Sequence, residues 1–163
     1  MPQTENPMIA ISALDVAEPS IQTRYPEPFA SMVRGRTKRR LGDHFGLDTF
    51  GVNLVRMSPG SVSSVRHHHS AEDEFVYILS GTATLITDNE ELPVGPGMCA
   101  GFKAGSGQSH QLANRSQAEV VFLEVGARLD SDAVVYPYDD LAINEVKANW
   151  VFTHKDGTPY GDV

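Results

Sequence analysis

Apolar residues along this chain come in short bursts, each cut off after a few positions by glycine, proline or a polar turn. FGVNLVRM (Phe50 to Met57), EFVYILSG (Glu74 to Gly81), TATLITD (Thr82 to Asp88) and AEVVFLEVG (Ala118 to Gly126) are rich in Val, Ile, Leu, Phe and Tyr, and each predicts a strand. SPG, TDNEE and VGPG predict the turns between them. FVYIL and VVFLEV are apolar at odd and even positions alike, which predicts strands buried on both faces between two packed layers. Segments with a 3.6-residue period are scarce, and the helix candidates are Lys38 to Asp43 and Asp139 to Val146. Many short strands separated by turns predict an all-β sandwich or barrel.

Both ends of the chain break this pattern. The amino-terminal stretch carries Pro2, Pro7, Pro19, Pro26 and Pro28, and the tail FTHKDGTPYGDV is turn-rich. Both predict extended arms, which commonly cover sheet edges in the same subunit or in a partner. A length of 163 residues, 40% of them hydrophobic, predicts one domain with one core. The net charge of −8, from 13 basic and 21 acidic residues, argues against nucleic acid or an anionic membrane as partner. The first residues lack a basic segment followed by a long apolar one, and no apolar run approaches the ~20 residues of a membrane span, so a cytoplasmic location is expected. The single cysteine, Cys99, allows no internal disulfide, and its small apolar neighbours in GMCAGF predict a buried structural thiol.

The chemistry concentrates in RHHHSAEDEFVYILSG, Arg66 to Gly81. Side chains alternate along a strand, so an extended SVRHHH would point His67 and His69 to one face and His68 to the other. Glu74 opens the next strand on the face of Val76 and Ile78, where a lone carboxylate would be costly to desolvate unless a cation compensates it. Glu72 and Asp73 precede the strand and read as solvated loop residues. The triplet is internal and lies between predicted strands, which sets it apart from an affinity tag. His110 opens an apolar stretch after the Gly/Ser-rich loop of GFKAGSGQSHQLANRS, and by itself it reads as an ordinary histidine.

Taken together these residues resemble the cupin superfamily. Its first motif is matched by Gly60, His67-His68-His69, Glu74 and Gly81, with a spacer after Gly60 one residue longer than usual. The end of its second motif is matched by His110, QLA and Asn114, whereas Lys103-Ala104-Gly105 replaces the usual Pro-x-Gly and four residues, not two, precede His110. The phrases LGDHFGLDTFGVNLVRMSPG, CAGFKAG and THKDGTPY extend the resemblance to small single-domain bacterial cupins, often labelled sugar-phosphate isomerase-like.

The resemblance implies a double-stranded β-helix, a cupin jelly-roll barrel, with residues 1–48 as one arm, a barrel core at about 49–127 and a carboxy-terminal arm at 128–163. It implies His67, His69, Glu74 and His110 as ligands of one divalent transition metal, for which Zn, Fe, Mn, Ni and Co all suit three imidazoles and a carboxylate. It further implies a homodimer and a metal-dependent enzyme on a small polar substrate: an isomerase on a sugar phosphate, a lyase, or an iron-dependent dioxygenase. A non-catalytic small-molecule-binding cupin would need the same four residues, and a metal-free structural protein none of them.

The basic stretch RGRTKRR (Arg34 to Arg40) reads as a solvated face paired with acidic surface, or as an anion site for a phosphate or carboxylate. Asn53, Arg56, Tyr77 and Gln111 could line a pocket, with structural or exposed roles the simpler reading. His44 and His154 fall outside the motifs and read as non-ligands. No catalytic acid or base is identifiable.

Overall fold

The computed structural model describes residues 9–146 and 149–161; Pro2, Pro7 and the chain's last two residues lie outside the described part. In chain order its elements are α1 (Phe29–Met32), β1 (Arg36–Arg40), α2 (Leu41–His44), β2 (Phe50–Met57), β3 (His68–His69), β4 (Glu74–Ser80), β5 (Ala83–Thr87), β6 (Glu91–Val94), β7 (Cys99–Phe102), β8 (His110–Ala113), β9 (Val120–Ala127), β10 (Val134–Val135), β11 (Ala142–Val146) and β12 (Asn149–Thr153). A five-stranded sheet runs β1-β2-β9-β4-β7 and a three-stranded sheet runs β6-β5-β8, with the pairs β10-β3 and β11-β12 beside them. All the pairings are antiparallel. This is the all-β jelly roll, a double-stranded β-helix.

Period-two alternation builds the core. Val55 and Met57 of β2, Val120 and Phe122 of β9, and Val76 and Ile78 of β4 lie inside, against Leu85 of β5 and Leu112 of β8. The register sets Ile78 and Val55 on either side of Phe122, which is fully buried. Burying side chains of this size contributes about 1.5–3 kcal/mol each. The second face of these strands is not covered as the sequence predicts. Phe75, Tyr77 and Leu79 of β4 are 41%, 38% and 43% exposed, because only the inner face of the sheet has another layer against it. Cys99 is likewise exposed, not buried: it pairs with Tyr77 in register and shares the outer face, while Ala100 and Phe102 pack toward the core.

Both helix expectations are corrected. Lys38 to Asp43 is split between strand β1 and the four-residue α2, since Arg36–Arg40 finds a pairing edge on β2. Asp139 to Val146 ends in β11, which pairs antiparallel with β12. The arms then make a second core against the barrel, in which Phe29, Tyr136 and Leu141 close on Val65, with Tyr25, Val134, Ile143 and Phe152 packed on it. Tyr25 and Tyr136, one from each arm, meet edge to face with ring centroids 6.2 Å apart and line the inner cavity. Among the described residues no helix is long and apolar enough to cross a membrane.

Candidate metal centre

The polar end of the core is where the histidines lie. Only His68 and His69 form strand β3, paired to β10; His67 makes a bridge with His110 at the start of β8. The alternation still holds: the His67 and His69 rings are 5.1 Å apart, and His67 and His110 are 4.9 Å apart. Glu74, first residue of β4, points in on the same side as Val76 and Ile78. Its Oε2 receives the Nε2 atoms of His110 at 3.0 Å, His69 at 3.4 Å and His67 at 3.6 Å. None of these contacts has hydrogen-bond geometry, so Oε2 is buried without a hydrogen-bond partner. The four sequence-predicted residues are thus brought to one point.

The rings are oriented from behind. Nδ1 of His67 lies 2.8 Å from the Val65 carbonyl oxygen, which can only accept, so Nδ1 carries the proton and Nε2 presents a lone pair. Nδ1 of His69 donates to Asp132 Oδ2 at 2.6 Å, with the same result. Asp132 is itself fixed, its Oδ1 accepting the backbone N–H groups of Ala71 (2.8 Å) and Glu72 (3.0 Å). His69, Glu72 and Asp132 also form a tight acidic cluster, but it lies on the Nδ1 side of the ring and acts as a brace. His110 is held by stacking on Phe102, with centroids 3.5 Å apart. Burial pushes the His110 pKa down and His67 adds to this, so the ring stays neutral, the form that binds metal. Electron-rich nitrogens converging on one carboxylate oxygen is an arrangement a divalent cation would relieve, and this donor set could hold one.

The cluster opens into a cavity of about 230 Å³. Lys38 and Glu124 line it with Tyr25 and Tyr136. Asn53, a predicted pocket residue, reaches Glu124 at 3.0 Å. The other three candidates do not serve the cavity: Arg56 pairs with Glu119 at 2.5 Å, Tyr77 faces outward, and Gln111 donates to the Ser64 carbonyl. Asp73 is exposed as expected and pairs with Lys103, whereas Glu72 is half-buried, accepting the Leu129 N–H. His154 pairs with Asp140 and His44 packs on Phe45, neither joining the centre. Asn114, the last motif residue, is structural: its Nδ2 donates to the Met57 and Ala118 carbonyls at 2.8 Å each, tying β8 to β2. Sequence reasoning passed over Glu124, although an acid at an inward position of an apolar strand is the signal that marked Glu74. It also missed Asp132, whose contact with His69 spans 63 residues and has no local signature.

The cupin domain family matches residues 53–126. A structure from Silicibacter pomeroyi DSS-3, titled a sugar phosphate isomerase from a cupin superfamily, is 39% identical, with 92% of this chain and 95% of that one covered and a TM-score of 0.84. A putative sugar phosphate isomerase from Acidithiobacillus ferrooxidans is 34% identical over 74% of this chain and 77% of that one, with a TM-score of 0.67. The polyketide cyclase RemF from Streptomyces resistomycificus shares the fold at 21% identity, covering 81% of this chain and 87% of its own, with a TM-score of 0.66. No curated protein sequence matches the chain.

Proposed function

The chain belongs to the cupin superfamily, and from that premise we propose that it is a metal-dependent enzyme of the isomerase type acting on a small polar molecule, with His67, His69, Glu74 and His110 holding one divalent transition metal. The observation that carries this reading is the meeting of three Nε2 atoms on one otherwise unpartnered carboxylate oxygen in the lining of a cavity. Two similar structures bear the name sugar phosphate isomerase, which favours isomerisation over the lyase and dioxygenase alternatives.

When bound, the metal supplies Lewis acidity that polarises a substrate carbonyl or hydroxyl. The chain's own residues do the rest. Val65 and Asp132 fix the imidazole tautomers, Phe102 fixes the ring of His110, and Tyr25 and Tyr136 line the cavity beside them. Isomerisation of a hydroxycarbonyl compound moves a proton between adjacent carbons, so solvent deuterium should enter the substrate carbon skeleton in the presence of metal-loaded protein and not after chelation. Binding of such compounds without any exchange would overturn the enzyme reading in favour of a binding cupin.

The brace on His69 gives a second expectation. Asp132→Asn keeps an acceptor for the Ala71 and Glu72 amides but loses the charge facing Nδ1. Metal affinity, measured by competition with a chromogenic chelator, should fall about 10- to 100-fold, as when other such partners are lost. Unchanged affinity would make Asp132 a loop fastener only.

A further inference from the structure

Strand β1 carries three cations on one face. Arg36, Lys38 and Arg40 are two residues apart, so alternation turns them to the same side, whereas Arg39 turns to the other and pairs with Glu18 at 3.1 Å. The amino-terminal arm runs beside this face: Gln22 Oε1 accepts the Lys38 N–H at 3.0 Å, and the Gln22 carbonyl accepts from Arg36 Nη2 at 2.9 Å. Between arm and strand lies a groove of about 190 Å³, with Gln22, Thr23 and Arg24 on the arm side and Arg36, Lys38 and Arg40 on the strand side. Four cations and no acid line it, in a chain whose net charge is −8.

These charges are only partly answered. Arg36 is 7% exposed; its Nη1 and Nη2 donate to the neutral carbonyls of Ser63 and Gln22, and its Nε is buried without a partner. A buried guanidinium whose partners are all neutral is a charge that an anion beside it would compensate. Arg40 has Asp43 at 3.8 Å, and Asp43 also takes Arg128. Lys38 pairs with Glu124 at 2.6 Å, and its Nζ keeps two further protons to donate. Thr23 Oγ1 accepts the Tyr25 N–H at 3.1 Å and keeps its own proton to donate. An oxyanion in the groove would therefore meet donors from both walls.

The groove and the histidine cavity share Tyr25, Arg36 and Lys38. The cavity, about 230 Å³, is below the roughly 300–1,000 Å³ of ordinary ligand pockets, and cavity and groove together come within that range. We propose that the groove is the anion subsite of the enzyme, and that it holds the terminal phosphate of a short polyhydroxylated carbonyl compound whose other end reaches the histidine cluster. Arg24, Lys38 and Arg40 donate to the phosphate oxygens, and Arg36 supplies fixed charge behind them. The proposal rests on the histidine cavity being the substrate site described above, and it gives the phosphate in the similar structures' names a place in this chain.

The test is calorimetric: inorganic phosphate is titrated into the metal-free protein, and erythrose and ribose, each against its terminal phosphate ester, into zinc-loaded protein after zinc uptake has been measured separately. Phosphate should bind the metal-free protein, and at least one ester should bind about tenfold or more tighter than its free sugar. Arg24→Gln and Arg40→Gln, both at exposed positions, should each weaken phosphate and ester about tenfold, as loss of a charge-assisted hydrogen bond does, and leave zinc uptake unchanged. Arg34→Gln makes the same charge change in the same basic run, but Arg34 is 78% exposed and outside the groove, and its variant should keep the parent's affinity for phosphate. Esters that bind no tighter than free sugars, phosphate affinity indifferent to Arg24 and Arg40, or an equal loss in Arg34→Gln would overturn the subsite. Failure of zinc uptake would instead overturn the metal reading, and phosphate binding to the metal-free protein would still read the groove.

Discussion

With zinc present at a thousandfold excess over its dissociation constant, the parent protein should melt roughly 8–16 °C above its metal-free form, and Glu74→Gln or His69→Ala should erase that difference. The size follows from linkage: such an excess stabilises the native state by about 4 kcal/mol, and each kcal/mol moves the midpoint by about 2–4 °C in a chain of this length. Glu74 is the pivot because its Oε2 is the atom on which all three Nε2 atoms converge. Gln fills the same space without the charge, so the metal-free variant should melt near the metal-free parent and only the metal response should vanish. His69→Ala removes one nitrogen and leaves Asp132 without its imidazole partner. Asp73→Asn is the control: one residue from Glu74, it is exposed and paired with Lys103, and its variant should keep the full response. Elemental analysis of purified Glu74→Gln that still showed one equivalent of metal would sink the ligand assignment.

That the centre could be located in the sequence reflects how little of it depends on distant pairing. His67 and His69 share a face because side chains alternate locally, and Glu74 is marked by the apolar Val76 and Ile78 on its own strand. The same rule, applied to VVFLEV, would have flagged Glu124. What decides the arms is not local. The segment from Asp139 to Val146 mixes apolar and charged residues in a way that fits a helix, and it becomes partly strand only because β12 pairs with it and Phe152 joins the second core. Arg36–Arg40 looks like a uniform basic run, yet pairing with β2 sends Arg36 and Lys38 inward and leaves Arg39 to bind Glu18 at 3.1 Å in the amino-terminal arm. Cys99 shows the converse: its neighbours are small and apolar, but the register with Tyr77 puts it on the face that no layer covers.

Gly81→Ala should destabilise the protein by roughly 3–5 kcal/mol, a fall in melting temperature of about 6–20 °C, whether or not metal is bound. Gly81 follows β4 just after the register shift between Ile78 and Ser80 and has φ +74°. A Cβ there would sit 2.3 Å from the Glu119 carbonyl oxygen and 2.9 Å from the Val120 Cα, both backbone atoms at the entry to the central strand β9. The left-handed conformation alone costs a non-glycine residue about 1–2 kcal/mol; the rest comes from moving β9 away from the fully buried Val120 and Phe122. Gly60 separates the two contributions, since it has φ +83° and open space where a Cβ would go. Gly60→Ala should therefore cost only about 1–2 kcal/mol, the conformational part. Chemical denaturation of the two variants checks the contrast, and equal losses would refute the packing argument. Because Gly81 touches neither the histidines nor Glu74, the folded fraction of Gly81→Ala should bind metal with the parent's affinity. The glycine that closes the first motif is then required by the approach of β9 to the end of β4, while the histidines and the carboxylate within that motif are required by the ion.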